Sequence, residues 1–421
     1  MPASATPDTR STKLDAQVTG VVSFAHGYSH FTQLMVAPLF PWIKESFALS
    51  YAELGLLMTV FFVASGVGQA LSGFVVDRVG ALPVLLGSIG LFVVAALGLA
   101  ISPGYVVLLV FSGIAGAGNA SFHPIDYSIL NARIRPARLG HAYAVHGIAG
   151  SLGWAAAPAF MVGLTTLFNW RIAFAGAAVL AALVWLVVWR FRHLLAVAPG
   201  AVASHGARPA VAASGQSSLG FLKLPAVWLS FLFFVAYAIS LGGVQSFGPE
   251  AARNLHQVPL QFVAICLTAY MLATAAGMVL GGFLVRDPGR ADRVIGLGFG
   301  SAAVVALVLA LIPAPGWAVP ILFALMGVGA GIAGPSRDTL VRAATPPGAT
   351  GRVYGMVYSG LDVGMAIAPA LFGVMMDQQR PGLVWIGIAV FQGLLIVSVL
   401  KLGSAVRRPA ARAAVASNAS A

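Results

Sequence analysis

Read for charged and uncharged positions, the chain is a series of long apolar runs separated by short polar ones. No Asp, Glu, Lys or Arg occurs in residues 16–43, 54–76, 79–125, 139–170 or 172–189. The pattern resumes at 224–249, 254–285 and 294–336, continues as a shorter pair of runs around Asp362, and ends at 381–400. About 20 mostly apolar residues in a helix cross a bilayer. Runs 79–125 and 294–336 are too long for one crossing, and each contains a Pro/Gly break, Ser102-Pro103-Gly104 and Ala314-Pro315-Gly316, so each divides in two. The pattern therefore predicts an all-α membrane protein with twelve transmembrane helices.

Composition agrees with a lipid environment. Of 421 residues 59% are hydrophobic and 9% charged, where a soluble domain carries about 25% charged residues. Glycine, at 49 positions, is enriched as it is in closely packed membrane helices. The single cysteine, Cys266, excludes a disulfide framework, an iron–sulfur cluster and a multi-thiolate zinc site. No G-x-x-x-x-G-K-[ST] phosphate loop is present, so nothing points to ATP hydrolysis.

The apolar runs fall into two groups of six. Residues 1–17 read as a polar tail, 18–190 as the first six-helix bundle, and 191–222, rich in Ala, Ser, Pro, Gly and Arg, as a linker. Residues 223–403 form the second bundle and 404–421 a disordered basic tail. The net charge of +12 raises the question of nucleic acid, which its placement answers. With the N-terminus inside, 20 of the 24 Lys and Arg fall in inner loops or tails, and only Lys44, Arg171, Arg253 and Arg380 fall outside. That is the asymmetry that orients membrane proteins. It predicts cytoplasmic termini and linker, a multi-pass protein of a bacterial-type inner membrane, and no nucleic-acid partner.

The two groups are copies of one another. At an offset of 211, residues 140–160 and 351–371 agree at seven of 21 positions, among them Gly153/Gly364 and Pro158/Pro369. The same offset pairs Gly116, Gly118 and Pro124 with Gly327, Gly329 and Pro335, and an offset of 209 pairs Gly68, Leu71, Gly73, Phe74 and Val76 with Gly277, Leu280, Gly282, Phe283 and Val285. Six crossings per copy give both the same orientation, related by an axis along the membrane normal.

Between helices 2 and 3, Gly73-Phe-Val-Val-Asp77-Arg78-Val-Gly80 resembles the G-x-x-x-D-R-x-G signature of the major facilitator superfamily. Its second-half counterpart, Gly282-Phe-Leu-Val-Arg286-Asp287, has acid and base exchanged. Within that superfamily the first half resembles the fosmidomycin resistance family, through His26 fifteen residues before Pro41 and through Gly116-Ala-Gly118-Asn-Ala-Ser-Phe122-His123-Pro124. That family usually has an acid four residues after the helix 1 histidine, where this chain has His30, and a Glu directly after F-H-P, where it has Ile125 and then Asp126. The resemblance implies a twelve-helix fold of two parallel six-helix repeats, transport of a small solute, and a gate at Gly73, Asp77, Arg78, Gly80, Arg286 and Asp287. A carboxylate at such a loop can stabilise a facing helix N-terminus.

An ionisable group at the bilayer centre costs roughly 2.5–3.5 kcal/mol on insertion scales, so each one requires a reason. Asp362 falls near the midplane, at the position that Ser151 holds in the first repeat. Its alternatives are a hydrogen-bonded structural acid or a proton or substrate site. His30 lies near the midplane of helix 1, with His26 one turn away on the same face. Imidazole titrates near neutral pH, and His-x-x-x-His also suits a metal, but sequence shows no third ligand and no metal is expected. His123 and Asp126 in helix 4 and His146 in helix 5 form an inner group, where Pro124 is expected to kink the helix. The simpler alternative pairs Asp126 with Arg133 or Arg135. Tyr237 and Gln245, with Thr268 and Tyr270, are weaker cavity contacts.

These readings converge on a secondary transporter, not an enzyme, exporting a small solute or drug by proton-coupled alternating access, as a monomer without a cofactor. The alternative direction is proton-coupled uptake of a small organic anion, favoured by the arginines at the inner ends of helices 10 and 11. An intramembrane enzyme is disfavoured by the lack of His-Glu-x-x-His, and a sensor that binds without transport is separable by counterflow.

Overall fold

The computed structural model describes residues 9–197, 225–284, 291–344 and 350–419. Most of the expected linker, and Arg286 and Asp287 of the expected gate, lie outside the described residues, as do the side chains of Asp77, Arg337, Arg342 and Arg352.

The first half contains α1 (Thr9–Gln33), α2 (Phe40–Phe47), α3 (Tyr51–Val79), α4 (Ala81–Ala100), α5 (Tyr105–Asn119), α6 (Phe122–Arg133), α7 (Pro136–Leu167), α8 (Trp170–Arg190) and the short α9 (Arg192–Leu195). The second contains α10 (Pro225–Ser246), α11 (Gly248–His256), α12 (Leu260–Leu284), α13 (Ala291–Leu311), α14 (Val319–Ala344), α15 (Thr350–Asp377) and α16 (Pro381–Ala419). Among the described residues, 10 helical stretches are long and apolar enough to cross a membrane, α5 and α6 counting together as one. Val319–Gly334 is a shorter apolar stretch of α14. α1 is long enough, but its polar residues, including Thr19, Ser23, His26, Ser29, Thr32 and Gln33, keep it out of that set, and they are buried inside the protein.

Several boundaries differ from the sequence reading. α1 stops at Gln33, and a single turn of 3-10 helix, Ala37–Leu39, leads into α2. Pro38 and Pro41 lack the N–H groups that would continue the first helix. Helix 4 is broken at Ala120 and Ser121, just before Pro124, into α5 and α6. At the chain's far end α16 runs on to Ala419, so residues 404–419 are helical, not a disordered tail; alanine and arginine there are strong helix formers. At the other end α1 already begins at Thr9, inside the expected polar tail.

The repeat is visible in how helices pair. In the first half α1 packs on α7, α3 on α5, and α4 on both α5 and α8. In the second half α10 packs on α15, α12 on α14, and α13 on both α14 and α16, the same pattern one repeat later. Several of the matched glycines sit at these crossings. A Cβ on Gly116 would overlap the carbonyl oxygen of Phe61, and one on Gly327 that of Tyr270; Gly153 and Gly364 would likewise strike Gly27 and Val235. At these four positions the copies agree where two helix backbones touch, as close packing in lipid requires. The halves then meet along two seams, α3 against α15 and α7 against α12. Outward-facing residues such as Val67, Phe74, Val179 and Leu297 are exposed apolar side chains, fit for contact with lipid.

Gly80 joins α3 to α4 alone, with φ 94° and ψ 155°. That backbone region is almost exclusive to glycine and costs other residues about 1–3 kcal/mol. The Gly80→Ala variant is therefore expected to unfold at a lower temperature in detergent. Gly87→Ala, at an α4 position with open space around it, is expected to hold or raise the midpoint by removing a flexible residue from a helix. Equal midpoints for the two would contradict the strained turn.

Candidate transport site

Beyond the break in helix 4, α6 packs against α1 and α7 and brings His123 and Asp126 to them. Asp126 is fully buried, and its Oδ2 lies 2.9 Å from His26 Nδ1 and 3.8 Å from His146 Nε2. His26 and His146 stack with ring centroids 3.6 Å apart, and His26 lies 4.4 Å from His30 and 5.4 Å from His123. Gly150 of α7 makes this crowding possible: a Cβ there would sit 3.0 Å from His30 Nδ1 and 3.1 Å from His26 Nε2.

Four histidines and one acid, contributed by three helices, are thus one cluster. The sequence placed them in two groups, one on helix 1 and one on helices 4 and 5. The arginine alternative for Asp126 does not occur: Arg135 binds Asp15 at 2.8 Å, tying the start of α7 to the start of α1, and Arg133 donates to the Ala196 carbonyl.

A second polar network, of residues that the sequence reading does not single out, adjoins the cluster. Trp154 packs over His30 at 4.3 Å and donates its indole N–H to Gln33 Oε1 at 3.0 Å. Gln33 donates to Asn119 Oδ1 at 3.2 Å, and Asn119 to Ser65 Oγ at 2.9 Å. The signals were present. Gln33 follows His26 and His30 on the same face of α1, and Asn119 lies inside the Gly116–Pro124 motif.

Asp362 is elsewhere. It stands on α15 at the seam with α3, where Gln69 Nε2 donates to its Oδ2 at 3.4 Å and Gly66 leaves room for its Cβ. Its hydrogen bond and its close Cβ contact are both with α3. Of the remaining candidates, Thr268 donates across the other seam to the Ala155 carbonyl at 3.0 Å. Gln245 is buried with its Oε1 unpartnered, Tyr237 packs against Phe299, and Tyr270 is buried beneath Gly327. A cavity of about 440 Å³, lined by Val162, Thr166, Ile265, Thr268 and Leu272 among others, opens between α7 and α12. Arg78 of the expected gate is exposed at the end of α3.

Where α3 begins, the two halves are tied by polar contacts. Asp377 at the end of α15 accepts from the Tyr51 and Ala52 N–H groups at 2.7 and 2.9 Å, using the unpaired donors of a helix start. The Tyr51 hydroxyl donates to Glu250 at 3.0 Å, and Glu250 is paired with Arg253 through two hydrogen bonds of 2.8 and 2.7 Å. Thr59 donates to the Ala366 carbonyl at 2.8 Å further along the same seam.

The sequence model of the Major Facilitator Superfamily matches residues 22–251 and again 239–420. The chain belongs to that superfamily. This superfamily member is similar to the fosmidomycin resistance protein of Escherichia coli, 23% identical over 284 residues that make up 66% of this chain and 68% of that protein. It is also similar to a multidrug resistance protein B homolog of Mycobacterium tuberculosis, 26% identical over 155 residues, 37% of this chain. The chain spans only about a third of the length of the first curated relatives it matches, 29% for the latter. Among solved structures the nucleoside transporter NupG superposes with a TM-score of 0.70 at 15% identity, over 92% of this chain and 98% of that one. A mutant of the same transporter gives 0.73. The superfamily member is accordingly a multi-pass membrane protein of the major facilitator fold.

Proposed function

We propose that the chain exports a small solute in exchange for protons, by rocking its two halves about the α3/α15 and α7/α12 seams. The observation that carries the coupling is Asp362, an acid inside a membrane-crossing helix that accepts a hydrogen bond from Gln69 of the opposite half. When the halves separate at that seam, the carboxyl exchanges Gln69 for water, so its affinity for a proton differs between the two states. That difference is what lets a gradient drive a cycle. The polar network of Trp154, Gln33, Asn119 and Ser65, with His30 against the indole, is the solute-contacting wall of the first half. The names of the two curated relatives, both resistance proteins, support export over uptake. Basic residues in the inner loops support an inner membrane with both termini cytoplasmic, so the tied end at Tyr51, Glu250 and Asp377 faces outward.

Proteoliposomes holding the full chain, given a pH gradient of either sign, test this with fosmidomycin, ethidium and nitrate as probes. Accumulation against the direction of proton flow, collapsed by an uncoupler, is the expected outcome. Accumulation along with the protons would replace exchange by symport, and flux indifferent to the gradient would remove coupling altogether.

A further inference from the structure

The proposed transport cycle uses Asp362 and the network around Gln33, and leaves the His26, His123, His146 and Asp126 group without a role. One ring nitrogen from each of the three histidines lies within 4.8 Å of the others. Neither ring nitrogen of His146 has a hydrogen-bond partner, nor does Asp126 Oδ1, although all are buried. Orphaned buried polar atoms are costly in a helix bundle, and they are cheapest to satisfy with one ligand that accepts several lone pairs at once. Three imidazoles and a carboxylate are such a donor set for a borderline divalent ion.

We propose that the first half carries a transition-metal site in which His26, His123 and His146 ligate one divalent ion of the zinc, cobalt or nickel type. Asp126 supplies the compensating negative charge and holds His26 in place through its 2.9 Å contact, the role a carboxylate plays behind a ligating histidine. Three features of the fold build the site. His123, at the start of α6, lies beside His26 of α1, with ring centroids 5.4 Å apart. Gly150 clears the space into which two imidazoles project. His123 is the exposed member, which leaves the cluster open on its side for an ion to enter. His30, with both ring nitrogens unpartnered and its ring 4.4 Å from that of His26, stands next to the three as a further donor. The second repeat has no copy of the site: positions 237, 334, 337 and 357, which correspond to 26, 123, 126 and 146, are Tyr, Gly, Arg and Val.

The test uses the full chain, purified without a histidine tag, in detergent and stripped with a chelator. Co²⁺ titrated by absorbance, then displaced by Zn²⁺, is expected to show one site per chain with the spectrum of a low-coordinate nitrogen and oxygen environment. His123→Gln and His146→Gln should each weaken Co²⁺ affinity by at least about a hundredfold, and Asp126→Asn by roughly ten- to a hundredfold, as for other residues behind a metal ligand. His141→Gln, an exposed histidine of α7 outside the cluster, should bind as the parent does. Thermal unfolding of each metal-free variant identifies any that has merely failed to fold. Zn²⁺ should raise the parent's unfolding temperature and not that of His123→Gln, because a ligand bound only by the folded state stabilises it. Unchanged Co²⁺ affinity and spectrum in folded His123→Gln and His146→Gln protein would overturn the site, as would the absence of one-to-one binding in the parent.

Discussion

In proteoliposomes carrying an imposed proton gradient, the Asp362→Asn variant is expected to lose uphill accumulation entirely while still exchanging solute downhill. The amide keeps the size of the carboxyl and can still meet Gln69, but it cannot take up and release a proton. One proton moving down 100 mV releases about 2.3 kcal/mol, enough to hold a solute gradient of roughly fiftyfold. The expected reading is therefore a fall from that ratio to unity at equilibrium, with the downhill rate preserved within a few-fold. If Asp362→Asn builds the full gradient and Asp126→Asn does not, coupling belongs to the histidine cluster and not to the seam.

The second large effect is steric. A Cβ on Gly55 of α3 would overlap the Pro369 carbonyl oxygen of α15, and one on Gly373 would lie 2.6 Å from that of Tyr51. The halves approach this closely only because both positions are glycine. Gly55→Leu is expected to hold the seam open at that end and to disfavour the tied state. Backbone overlap of this kind costs about 1–3 kcal/mol or more, and a factor of ten in population corresponds to about 1.4 kcal/mol. A Thr59→Cys reporter in a Cys266→Ser background should therefore react with an impermeant maleimide at least roughly tenfold faster in the Gly55→Leu chain, and transport should drop in parallel. Gly153→Ala, which crowds α1 against α7 inside one half, should instead lower yield and thermal stability without changing that labelling rate. Identical labelling in all three backgrounds would mean that the glycine contact does not set the state.

How far these outcomes can be read from sequence differs between the fold and the site. The all-helical, membrane-crossing character follows from uncharged runs, because lipid penalises charge wherever it falls along a crossing, and ten of the twelve expected crossings recur as long apolar helices among the described residues. Most of α1 lies in such an uncharged run, yet it is lined with His, Ser, Thr and Gln, so mean hydropathy alone does not mark it as a crossing; its polar side is buried by the protein. The repeat was legible because glycines at helix crossings tolerate no substitute without moving a backbone. Packing also explains what was missed. His26 and His146 are 120 positions apart in the chain, and nothing along it says that Gly150 leaves room for both rings. Likewise counting residues puts Asp362 and His30 at one expected depth, while their contacts differ, Gln69 for the first and Trp154 for the second, because neighbours follow from which helix faces which. Gln33 and Asn119 are uncharged, so a search for ionisable groups passes over them.

The cluster belongs wholly to the first half, drawn from α1, α6 and α7, whereas the Asp362 contact spans both halves. Rigid rocking leaves the distances within the first unaltered and changes the second. A paramagnetic ion seated among the histidines would therefore be a stationary origin in the frame of one half, and spin labels placed along α10, α13 or α16 would trace the path of the other half from a single fixed point.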